Sequence, residues 1–140
     1  AGFRLGQTLP ESGDVSRGIC GVDGTELVSL VETHGIGRRG DGSITSTDPV
    51  GVLNDDTVAS MNCWVFAPSL FGHLELGFDR FLAEHGHEEK AEFLLPTVVD
   101  GLRRAGTYTI GIVPTDEPWV GVTNPGDLEI ARRRIATVRA

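Results

Sequence analysis

The chain has 140 residues, 39% of them hydrophobic and 23% charged, enough apolar material for one globular domain with a core. A net charge of −8 and a pI of 4.8 argue against a nucleic-acid surface, because the basic runs Arg38-Arg39, Arg103-Arg104 and Arg132-Arg133-Arg134 are short and scattered. No stretch approaches the ~18 consecutive apolar residues of a membrane span, so no membrane partner is expected.

"AGFRL" alternates weakly and reads as a strand. It carries no charged region followed by an apolar run, so it does not read as a signal peptide. The chain opens without a Met on what looks like mid-strand, which hints at residues removed upstream. "GQTLPESGDVS" is turn-rich and reads as a surface loop. "RGICGV", "DGT" and "ELVSLVE" form the clearest hairpin, with an Asp23-Gly24 turn between alternating apolar residues. Ile19, Val28 and Leu30 are its candidates for a buried face.

From Thr33 to Asp56 the apolar pattern dissolves into Gly, Ser, Thr and Asp. Residues 34–56 are therefore expected as a long flexible loop, inside which a short hairpin around Ile44 could lie. "TVASMNCWVF" then reads as a strand covered on both faces. "APSLFGHLELGFDRFLAEHG" predicts a helix capped by Ser69 and stopped by Gly86, with Leu70, Leu74, Phe78, Phe81 and Leu82 as its apolar stripe.

After the charged connection "HEEKAEF", "LLPTVVDGLRRAG" predicts a second helix. Pro96 fits only its first turn, Val98, Val99 and Leu102 make its inner face, and Gly106 ends it. "TYTIGIVP" and "WVGVT" read as strands. The last helix is expected from about Pro125, with Asn124 as cap, Asp127 near the positive dipole end, and Leu128, Ile130, Ile135 and Val138 as apolar positions. Arg132, Arg133 and Arg134 suit a solvated face. The order predicts a single α/β domain over 1–140, a mixed sheet with packed helices, in which the C-terminal strand–helix–helix–strand unit could supply a crossover. No internal repeat, P-loop or GxGxxG is present.

Cys20 and Cys63 sit in strand-like segments without CxxC spacing or a nearby His pair. They read as free, buried thiols in a reducing, cytoplasmic setting. His34, His73, His85 and His87 are dispersed and read as solvated rather than as zinc ligands.

Taken in order, "VSRGICGVDGTELVSLVE", "SMNCWVFAPSLFGHLE", "KAEFLLPTVVDGLRRAG" and "WVGVTNPGDLEIAR" resemble the C-terminal half of a sugar-phosphate nucleotidyltransferase. The resemblance spans about Gly2 to Arg134. It implies a Rossmann-like fold of the glycosyltransferase-A type, which joins a nucleoside triphosphate to a sugar 1-phosphate with Mg²⁺ and releases pyrophosphate. The partners so implied are a sugar phosphate and a nucleotide. The glycine-rich nucleotide loop and the first metal-binding Asp of that family have no counterpart in these residues, which correspond to the acceptor half. Alone, this half is expected to be catalytically silent.

Five residues stand out as candidate substrate contacts. Glu32 closes "LVSLVE" where related enzymes hold sugar hydroxyls, and a carboxylate accepting from two hydroxyls orients a sugar well, or it is simply a strand-end Glu in water. The Lys that commonly follows it is replaced by Thr33 and His34. Asn62, polar within an apolar run, must find partners, either a sugar hydroxyl or neighbouring backbone. Glu92 matches an acidic residue that touches sugar hydroxyls in the family, or simply favours a helix dipole. Lys90, the only lysine among twelve cationic side chains, could reach a phosphate or lie in water. Trp119 could stack on a ligand or pack beside the site. At Gly121 many relatives carry the second metal-binding Asp, and glycine offers no ligand.

Two other classes remain open. One is a non-catalytic sugar-phosphate-binding or regulatory module that kept the fold. The other is a structural piece that forms a homo-oligomer to cover an open sheet edge.

Overall fold

The computed structural model describes residues 1–10, 13–122 and 127–138. Its strands are β1 (Gly2–Arg4), β2 (Val15–Asp23), β3 (Glu26–Arg38), β4 (Ile44–Thr47), β5 (Val50–Leu53), β6 (Val58–Ser60) and β7 (Pro114–Thr115). Its α-helices are α1 (Leu70–His85), α2 (Leu95–Arg104) and α3 (Asp127–Val138). The strands form one seven-stranded mixed sheet in the order β5-β4-β3-β2-β6-β1-β7. Among the described residues only the β1–β7 pair is parallel. Because β6 pairs antiparallel with β1, the β6–α1–α2–β7 connection returns antiparallel. It is not the parallel crossover the element order suggested, and the handedness rule for such units does not apply.

The β2–β3 hairpin forms where the alternation predicts it, but its turn lies one residue later. Asp23 pairs with Glu26, so the two-residue loop is Gly24-Thr25, with Gly24 at φ +57°. A bulge then opposes Gly21 to Ser29 and Val22 to Leu27. The extra residue, Val28, turns outward and is 45% exposed, while Leu27 and Leu30 both reach the core. With Cys20, Val99 and Ile110 they make one buried cluster, under which α2 packs through Val99. A second cluster, on Leu5, Ile36, Ile44 and Ala59, lies on the opposite face, since Ile19 and Ala59 join it while their strand neighbours Cys20 and Val58 join the first.

The expectation of a loop over 34–56 is corrected. β3 runs on to Arg38, and β4 and β5 pair from Ile44↔Leu53 to Thr47↔Val50. A second irregularity lets the polar stretch remain strand. Val15 pairs with Ile36 but Arg17 with Thr33, and Gly35 takes φ +61°. A Cβ at 35 would strike Thr47. Few apolar side chains are needed there, because Ile44 alone of β4 contributes to the core and Ser46 is buried while donating to the Pro49 carbonyl at 2.6 Å.

The run "TVASMNCWVF" is a strand only over Val58–Ser60. Beyond it Val65 is 96% exposed and Cys63 is exposed, so of the two thiols only Cys20 is buried. "TYTIGIVP" contributes only Pro114 to the two-residue β7, and a single bridge from Gly111 to Glu26. Residues 118–122 are not strand.

The helices appear as expected, with differences in capping and burial. Ser69 makes no cap hydrogen bond and instead meets the Tyr108 hydroxyl at 2.8 Å. In α1 only Leu70 is buried, and Phe78 and Leu82 remain about half exposed. In α3, Ala131 is buried, whereas Leu128 and Ile135 are exposed. The expected cap at Asn124 and Pro125, and the side chains of Asp127, Ile130 and Val138, lie outside the described residues. The accessible surface of 9368 Å² exceeds the roughly 7,000 Å² of a compact protein of this mass, in keeping with the open apolar stripe on α1.

Candidate functional site

Across the middle of the sheet, Glu32, Gly18 and Ser60 stand in one cross-strand row. Gly18 is paired with Glu32 on one side and with Ser60 on the other. Glu32 therefore lies within β3, not at its end as the alternation suggested. A Cβ at position 18 would stand 3.1 Å from Leu30 Cδ1, 3.4 Å from Ser60 Cβ and 3.9 Å from Glu32 Oε2. The missing side chain leaves a shallow floor beside the carboxylate, as glycine within a strand often does where something must approach closely.

β6 ends at Ser60, and the chain turns away through Asn62, which adopts φ +54°. Asparagine tolerates this left-handed conformation better than most residues. Its backbone N–H meets Ser60 Oγ at 3.3 Å, and its Oδ1 accepts from the Trp64 indole N–H at 3.4 Å. Asn62 is thus an exposed turn residue rather than a buried strand residue.

The departure of β6 opens a hollow of ≈ 190 Å³ against β2, lined by Glu32, Asn62 and Trp119 together with Arg17, Gly18 and Ser60. Met61, Pro96 of α2 and Ser16 complete its rim. Three of the five candidate residues are brought together here. Lys90 and Glu92 are exposed on the segment leading into α2 and are not among the lining residues.

Trp119 is held by its own N–H, which donates to the Gln7 carbonyl at 3.3 Å. Its ring carries the Arg17 guanidinium 5.1 Å from the ring centroid. Arg17 also donates to the Thr8 carbonyl at 2.7 Å, the Thr8 hydroxyl at 3.4 Å and the Ser16 carbonyl at 2.8 Å. Burial pulls the Arg17 guanidinium below its ordinary value, with the Glu32 charge opposing. Ser16 Oγ meets His34 Nδ1 at 2.8 Å, and Thr33 donates to the Val31 carbonyl at 3.1 Å. The two residues that follow Glu32, His34 and Thr33, are therefore both engaged.

Arg17 and Gly18 escaped sequence reading, although each left a signal. Glycine in the middle of a strand marks a bulge or a close approach. Arg17 sits between Val15 and Ile19 on the alternation, where an apolar residue would be expected.

The Trp119 ring also accounts for Gly121. A Cβ at 121 would collide with the indole, whose Cζ2 would lie 2.7 Å away. The position that the family resemblance assigns to a metal-binding carboxylate is occupied by an aromatic ring. With the Trp119 ring in that space, the described residues around Gly121 do not fit a Mg²⁺ site.

A larger hollow of ≈ 620 Å³ lies between α1 and the segment before α2, lined by Phe71, Leu74, Phe78, Phe93 and Leu95, with Glu75. It offers a single carboxylate and otherwise apolar walls. It lacks the convergent polar groups that orient a hydroxylated ligand, so the smaller hollow is the better candidate.

No family model matches the chain, and no curated protein matches it.

Proposed function

We propose that these residues form the acceptor side of a sugar-phosphate nucleotidyltransferase, on a Rossmann-like scaffold. In the intact reaction an oxygen of the sugar 1-phosphate attacks the α-phosphorus of a nucleoside triphosphate. The new P–O bond replaces the bond to pyrophosphate, which leaves. The part these residues play is to grip the sugar. Glu32 accepts from hydroxyls, Asn62 offers an amide beside it, Gly18 lets the ring approach the sheet, and Trp119 supplies an apolar wall.

The observation that carries this reading is the convergence of Glu32, Asn62 and Trp119 on one hollow. They come from β3, the turn after β6 and the segment after β7, and were singled out separately along the chain. At ≈ 190 Å³ the hollow suits one sugar ring, and is smaller than the ~300–1,000 Å³ of pockets for larger ligands.

A second reading, a binding or regulatory module without turnover, is favoured by the Trp119 ring that fills the space over Gly121. Titrating the chain with sugar 1-phosphates while following backbone amide shifts tests what both readings share. Shifts are expected at Gly18, Glu32 and Asn62. Glu32→Ala should weaken binding at least about tenfold, the worth of a charge-assisted hydrogen bond. Lys90→Ala and Glu92→Ala should leave it within about twofold, as surface changes outside the hollow do. Saturation with no shift at the hollow would refute the proposal. Pyrophosphate release by the full-length gene product, across nucleoside triphosphates and sugar 1-phosphates, separates the transferase from the module.

A further inference from the structure

Six of the ten described arginines meet carboxylates: Arg4 meets Asp56, Arg38 meets Asp55, Arg39 meets Asp14, Arg103 and Arg104 share Asp100, and Arg133 meets Glu129. Arg17 is held in another way. It is half-buried, and among the described residues no carboxylate approaches it within 4.0 Å, in a chain of net charge −8. Glu32 acts on it only at longer range.

The guanidinium is nonetheless held firmly. Its three hydrogen bonds run to uncharged oxygens of Thr8 and Ser16, and one face rests on Trp119. Three of the five N–H donors are used, which leaves two. A fixed fork with spare donors and, among the described residues, no carboxylate in direct contact is arranged to receive an oxyanion, and a phosphate satisfies it better than a hydroxyl does. Alternation along β2 places Arg17 on the face opposite Gly18. Both line the hollow because β6 has ended at Ser60 and left a gap beside β2.

We infer that Arg17 is the phosphate-binding cation of this hollow, and that it sets the direction of the ligand, phosphate toward Trp119 and hydroxyls toward Glu32. The inference rests on the sugar-phosphate reading above. It adds the residue that selects a phosphorylated sugar over a neutral one. Thr33, buried and donating to Val31, cannot supply that charge.

Calorimetric titration of the 140-residue chain with a sugar 1-phosphate and with the methyl glycoside of the same sugar tests it. The wild type should prefer the phosphate at least about tenfold. Arg17→Gln should erase that preference, and Arg17→Lys should restore part of it. Arg17→Gln that keeps the full preference overturns the role of Arg17 and leaves the sugar-phosphate reading standing. A wild type that binds neither ligand ends both. Arg17 also ties Thr8 in place, so each variant is checked by thermal unfolding. If Arg17→Gln fails to fold, a Trp64→Phe variant with Arg17 intact carries the test. The emission of Trp119 should then change with the phosphate and not with the glycoside, and equal changes overturn the inference.

Discussion

Trp119 lies across the backbone of Gly121, and the two positions are mutually exclusive for side chains. The glycine is what lets the indole reach the Arg17 guanidinium and close one wall of the hollow. Gly121→Ala should therefore expel the ring and cost about 1–3 kcal/mol, the usual penalty of overpacking. In a Trp64→Phe background, the emission of Trp119 should shift to the red as the indole enters water. An unshifted spectrum with unchanged stability would show that the ring has room after all.

The bulge at Val28 makes a sharp prediction about two neighbours. Leu27 is fully buried and Val28 is 45% exposed, although strict alternation would have put Val28 with Leu30. Leu27→Ala should cost about 3 kcal/mol of unfolding free energy, and Val28→Ala less than about 1 kcal/mol. Denaturant unfolding of the two variants measures both. Equal losses would mean that the hairpin is paired in a regular register.

His85, in the last turn of α1, shares a hydrogen bond between Nδ1 and Glu88 Oε1 at 2.9 Å, and this bond is the main cause that raises its pKa above the ordinary 6.5. A raised histidine favours the folded state while it is protonated. Its contribution is full below the unfolded value near 6.5 and is lost as pH climbs through the higher folded value. Proton NMR titration of the His85 ring should show this elevated midpoint, and Glu88→Gln should bring it back toward the ordinary value. A midpoint indifferent to Glu88→Gln would assign the shift elsewhere.

The two thiols should separate cleanly by reactivity. Burial pushes Cys20 up to about 11, whereas Cys63 is exposed in the turn after β6. A thiol-specific disulfide reagent at neutral pH should titrate one group per chain quickly and the second only on unfolding. Cys63→Ser should abolish the fast phase, and a fast phase that survives it would place Cys20 within reach of solvent.

Local pattern was a good guide wherever a segment is stabilised by its own period or its own turn. The β2–β3 hairpin, the stop of α1 at Gly86 and the Pro96 start of α2 were all legible, because alternation, helical periodicity and proline's fixed φ act over a few neighbours. The hairpin of β4 and β5 is the short one that could lie around Ile44, but its sequence signal was weak. Its strands expose Val50 and Val52, bury Ser46, and lean on Ile44 and Leu53 against Leu5, Ile36 and Ala59 from elsewhere in the chain. "TVASMNCWVF" misled for the opposite reason. Its apolar residues look like a covered strand, but no partner continues past Ser60 and the chain peels away at Asn62.

For the candidate site, the sequence alone marked Glu32, Asn62 and Trp119 as unusual by their chemistry and place, along with Lys90 and Glu92. It could not say which of them meet, since a residue's neighbours across a sheet depend on register, and register here turns on two bulges, at Val28 and beside Gly35. Tertiary structure decided that three share a hollow, that Arg17 and Gly18 belong with them, and that Lys90 and Glu92 stand apart. Side-chain chemistry is a property of the residue and can be read in one dimension. Convergence is a property of distance in space, and only the folded chain brings positions 17, 32, 62 and 119 to the lining of one hollow.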